Sequence, residues 1–127
     1  MKRTISIILA TVGLMNLYPV IGVLSADTLR NLYGVIILDN DLLILMRHRA
    51  ILFGILGIFI VISAFRPNLQ PSAIVVGLIS MMAFIGLALG TGELGEPIQK
   101  VMIADIIGSL GLIAVFFLRW MNTRGIG

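Results

Sequence analysis

The chain has 127 residues, 59 % hydrophobic and 12 % charged, with a mean hydropathy of +1.12, no cysteine and a formal net charge of +3. Soluble domains carry about 25 % charged residues, so the composition is that of a chain living in a bilayer. The absence of cysteine also excludes a disulfide scaffold, a cysteine-ligated zinc site and a thiol nucleophile.

Four apolar stretches follow one another, over residues 5–24, 42–65, 73–89 and 98–118. A crossing takes about 20 apolar residues, and backbone groups in hydrocarbon must bond internally, which makes each stretch a helix. The fold class predicted is therefore an all-α integral membrane four-helix bundle, a single transmembrane domain over residues 1–127 with no room for a soluble catalytic domain. The first stretch follows Lys2 and Arg3 in the manner of a secretory signal, but it is long for that role and holds Asn16 and Pro19. It is read as a span, kinked at Pro19.

Between the first two spans, residues 26–33 suit a short interfacial helix capped by Ser25 and ended at Gly34. Asp39 or Asp41 then caps the second span, where a carboxylate suits the positive helix end. Residues 66–72 read as a tight turn, with Pro67 and Pro71 marking helix boundaries. Residues 90–95 match GxGxxG letter for letter but follow a membrane helix rather than a strand, so they read as a flexible turn.

Charge distribution orients the chain. With the amino terminus cytoplasmic, the inner side carries Lys2, Arg3, Arg66, Arg119 and Arg124, while the outer loops carry only Arg30 and Lys100. Basic residues favour the cytoplasmic side, so both termini are expected inside. Asp27, Asp39, Asp41, Glu93 and Glu96 all fall outside. The scattering of the bases toward helix ends argues against a nucleic-acid partner.

Small residues mark the faces where membrane helices touch. They recur as Ala50, Gly54, Gly57 and Ala64 in the second span, with Arg47 on the same stripe. The third span has Ala73, Gly77 and Ser80, then Gly86 and Gly90; the fourth has Ala104, Gly108 and Gly111, adjoined by Asp105 and Ser109. Gly13 and Asn16 serve the first, where Asn16 is a candidate for bonding across helices.

The polar residues inside the spans are the candidate site. Arg47, His48 and Arg49 lie six to eight residues beyond Asp41, about 9–12 Å along a helix, and Asp105 lies eight residues beyond Pro97, about 12 Å in. Both helices enter from the same side, so the two sets share a depth in the outer leaflet. A charge near a span centre costs about 2.5–3.5 kcal/mol on insertion scales unless paired, snorkelled or hydrated. Arg47, on the glycine stripe, is the first expectation for the partner of Asp105. The cluster then reads either as a structural clasp or as a pocket for the head group of a phospholipid, quinone or fatty acid. Glu93 and Glu96 are secondary candidates for the outer mouth or for capping the fourth helix. With one histidine and no cysteine, no ordinary zinc site is present.

Residues 45–57 (LMRHRAILFGILG), 63–67 (SAFRP) and 101–107 (VMIADII) resemble a group of small bacterial four-helix membrane proteins of unknown function, and the likeness covers most of the chain. Members of that group often carry the label phosphopantetheine adenylyltransferase. That soluble enzyme uses an HxGH-type nucleotide motif, which residues 48–51 (HRAI) do not match, so the activity is not expected. In layout the chain also resembles DoxX-like membrane proteins, some of which are associated with quinol oxidation or redox complexes.

The leading expectation is a non-enzymatic inner-membrane protein that binds a lipid-like amphiphile or a membrane partner through Arg47, His48, Arg49 and Asp105. The alternatives are a quinone-linked enzyme or redox subunit, with Asp105 and His48 managing protons, and a small transporter. Membrane lipid, a membrane-protein partner and a second copy of the chain are the partners this leaves open; a bound lipid or quinone is the one cofactor-like group.

Overall fold

A computed structural model describes residues 2–18, 30–31 and 39–125. Among these the chain is helical, with no strand: α1 (Lys2–Leu17), α2 (Asn40–Phe65), a 3-10 turn (Pro67–Leu69), α3 (Gln70–Leu89) and α4 (Glu96–Thr123). The segment from Asn40 to Phe65, the one from Pro67 to Leu89 and α4 each have the length and apolar composition needed to cross a membrane, as in a multi-pass membrane protein. α1 is described over 16 residues. The rest of its expected span, the Pro19 kink and most of the expected helix over 26–33 lie outside the described residues.

The helix ends follow local chemistry. Asp39 caps α2: its carboxylate accepts from the Asp41 amide at 3.1 Å, and its carbonyl accepts the first helical bond from the Leu43 amide at 3.0 Å. Arg66 leaves α2 in an extended conformation, and Pro67 and Pro71 open the two segments that follow, as their fixed φ and missing amide favour. Gly92, in the turn between α3 and α4, adopts φ +99°, a conformation that strains any residue with a Cβ. The GxGxxG string is thus a turn. Gly95 precedes α4, Glu96 sits in its first turn, and Glu96 pairs with Lys100 at 3.8 Å on the exposed surface.

Successive helices run antiparallel. α1 packs against α2 and α4, and α3 packs against α2 and α4, so α2 and α4 sit diagonally across the core. The helices have apolar residues all round, as expected of helices whose outer faces meet lipid. Phe65, Ile79, Leu87 and Leu89 are exposed, while Leu9, Ile60, Leu112 and Val115 are completely buried in the hydrophobic core.

Glycines set the closest approach between α1 and α2. A Cβ built on Gly57 would lie 2.8 Å from the Gly13 carbonyl oxygen, and one on Gly13 would lie 2.8 Å from the Gly57 carbonyl oxygen. The small-residue stripe of α2 is therefore turned to α1. Ser6 Oγ reinforces that seam by donating to the Ala64 carbonyl at 2.6 Å. On α3, Gly77 accommodates the Leu112 side chain, but a Cβ on Gly86 would meet nothing within 4 Å. Of the two small-residue sets read on α3, the first is a packing face; Gly86 opens onto space among the described residues.

Candidate functional site

The direction of the α2 glycine stripe decides which arginine meets Asp105. Arg47 shares that stripe, which is taken up by α1, whereas Arg49 is rotated 200° from Arg47, and about 100° from the small residues of the stripe, at 100° per residue. Arg49, Phe53, Leu56 and Ile60 form a second stripe, directed at α3 and the core. The structure places Arg49 beside the same cavity as Asp105. The two line one cavity of about 80 Å³, together with Asn16, Tyr18, Phe53 and Met81. Arg47 and His48 are exposed; Arg49 and Asp105 are half-buried. Of the basic triplet, Arg49 is the member that lines the cavity with Asp105.

Arg49 occupies a junction. Its guanidinium Cζ lies 4.9 Å from the Phe53 ring centroid and 5.5 Å from that of Phe84, within reach of the cation–π attraction that steadies a guanidinium at about 0.5–2 kcal/mol per contact. On one side lies the Asp105 cavity. On the other, Arg49 heads a groove of about 360 Å³ between α2 and α3, continued by Leu52, Leu56, Ser80, Ala83 and Leu87. The groove is apolar along its length and carries its charge at one end.

The remaining polar candidates divide. Asn16 is buried and lines the cavity, and its Nδ2 donates to the Val12 carbonyl of its own helix at 3.0 Å. Glu93 is exposed in the turn between α3 and α4, and Glu96 belongs to the surface pair with Lys100; neither lines the Arg49–Asp105 cavity. Ser109, one helical turn beyond Asp105 on the same face, is buried with no partner for its hydroxyl among the described residues. A buried hydroxyl left this way costs about 1–3 kcal/mol.

A second polar assembly, at the opposite end, was not singled out by the sequence. The side chain of Arg119 donates to the Gln70 carbonyl oxygen of the side chain and to the Pro67 backbone carbonyl, the latter at 3.3 Å. This fastens the end of α4 to the turn between α2 and α3. Gln70 is buried despite standing at a helix start. Its neighbours Pro67 and Pro71 read only as a turn, and Arg119 only as an orienting charge, so no local signal joins them. Among the described residues no group of three or more His, Cys, Asp or Glu side chains is gathered as a metal site would require.

No protein-family model, curated protein or solved structure matches the chain. The functional reading therefore rests on the site itself.

Proposed function

We propose that this chain is a four-span protein of a bacterial inner membrane, with both termini cytoplasmic, that binds a lipid-like amphiphile bearing an acidic head group. The observation that carries this reading is the position of Arg49, at the head of the apolar α2–α3 groove and at the mouth of the Asp105 cavity. A guanidinium offers a planar fork of donors suited to a carboxylate or phosphate, and the groove offers an apolar lining for the tail. Its volume falls in the range of about 300–1,000 Å³ usual for small-ligand sites. Phe53 and Phe84 hold the guanidinium in place, which lowers the ordering cost of binding. Asp105 balances the arginine charge across the cavity and sets a preference for one acidic group over a highly charged one. In this reading Arg47 and His48 face the head-group layer of the outer leaflet.

The reading is tested by native mass spectrometry of protein extracted in a mild detergent, followed by titration with a fatty acid and with phosphatidylglycerol. The expected result is a retained amphiphile. Arg49→Gln should weaken its binding about tenfold, the scale of a lost hydrogen bond to a charged group. Ala83→Phe, which fills the groove without altering charge, should do the same. Equal retention by wild type and both variants would sink the proposal.

A further inference from the structure

The end of the molecule that carries the α2–α3 turn holds a cavity of about 390 Å³, lined by Lys2, Ser6, Gln70, Arg119, Asn122 and Thr123 among others. Among the described residues its charge is one-sided: two cations line it and no carboxylate does. The nearest charges in sequence, Arg3, Arg66 and Arg124, belong to the same end and are also basic. The acids of the described residues lie at the other end or, for Asp105, deep in α4. Gln70 is only 4 % exposed, and its side-chain oxygen is held by Arg119, which fixes the guanidinium in the cavity wall.

Arg119 is also a junction, as Arg49 is. Besides the polar cavity it lines an apolar groove of about 250 Å³ between α3 and α4, continued by Ile74, Val75, Phe116 and Trp120. A cationic cavity opening beside an acyl-sized groove is the combination that a phosphate-bearing lipid requires. We propose that this basic end is a second anion site, in which Lys2 and Arg119 take a phosphate group while the α3–α4 groove accepts a chain attached to it. The recognised chemistry is the phosphate. The groove favours a lipid as its source over free phosphate, because only a lipid occupies both halves of the site.

The test is lipid retention by native mass spectrometry, on protein titrated with phosphatidic acid in detergent, with inorganic phosphate as a competitor in a parallel arm. Wild type should retain the lipid, Lys2→Gln should weaken it about tenfold, and Arg119→Gln should do so at least as much. Because Arg119 also secures the turn, Lys2→Gln is the decisive variant; Lys2 is exposed and its change leaves the helix packing intact. Arg49→Gln should leave the Lys2-dependent retention in place, which separates this site from the α2–α3 groove. Binding of inorganic phosphate that Lys2→Gln abolishes, with no lipid retained by wild type, would assign the anion site to soluble phosphate and overturn the part given to the groove. Retention that is unchanged in Lys2→Gln and Arg119→Gln, with no effect of phosphate, would overturn the site.

Discussion

Glycine performs different tasks at different positions of this chain, and the surroundings of each missing Cβ separate them. At Gly57 the added atom would meet the Gly13 carbonyl at 2.8 Å and the Leu17 side chain at 2.9 Å. Backbone cannot yield there without prising α1 from α2. At Gly108 the obstacle is the Met81 thioether, with Sδ at 2.9 Å, the flexible end of an adaptable side chain. At Gly86 nothing lies within 4 Å. Alanine substitutions should therefore rank in that order. Gly57→Ala should cost about 1–3 kcal/mol, the usual range for overpacking, and Gly108→Ala should cost less. Gly86→Ala should be neutral or stabilise by up to about 1 kcal/mol through helix propensity. Thermal unfolding of the three variants in one detergent checks the ranking; a Gly86 variant less stable than the Gly57 variant would contradict the packing described.

At the scale of the helices, the main question is which pair of spans shares its buried charges. α2 and α4 are diagonal, so their charges interact across a cavity rather than along a packed seam. A double-mutant cycle on Arg49→Gln and Asp105→Asn should show a coupling of about 0.5–3 kcal/mol, with the double variant milder than the sum of the singles. The parallel cycle on Arg47→Gln and Asp105→Asn should be close to additive. Coupling confined to Arg47 would instead restore the glycine stripe as the face turned to α4. The sequence made depth legible here, because rise per residue places Arg47, His48, Arg49 and Asp105 without any knowledge of neighbours. Direction around the helix was not legible. The stripe through Ala50, Gly54 and Gly57 announces a close contact but cannot say with which helix, and that choice follows from Gly13 meeting Gly57. The same limit hid the Arg119–Gln70 fastening, whose partners stand 49 residues apart with no pattern linking them.

Among the described residues, polar assemblies stand toward the two ends of the molecule with a buried apolar core between them. Leu9, Ile60, Leu112 and Val115, all completely buried, separate the Arg49–Asp105 cavity from the cavity beside Arg119, so a proton or solute path would have to cross that core. The two ends differ in sign. Lys2, Arg3, Arg66, Arg119 and Arg124 gather where α1 begins, α2 turns into α3 and α4 ends; Asp39, Asp41, Glu93 and Glu96 gather at the other. Basic loops are retained on the cytoplasmic side during insertion, and this separation is the physical ground for the proposed orientation. The lack of native cysteine makes it directly measurable. A cysteine placed at exposed Thr91, in the turn between α3 and α4, should react with a membrane-impermeant maleimide once the reagent reaches the outer face of the inner membrane. One at exposed Asn68, in the turn between α2 and α3, should react only after the membrane is opened. The two turns are joined by α3 alone, so the pair of reactivities tests both the crossing of that helix and its direction. Labelling of both sites from outside would show that α3 does not cross. The reverse pattern would place Lys2 and Arg119 on the outer face, moving the basic cavity to the opposite leaflet with its chemistry unchanged.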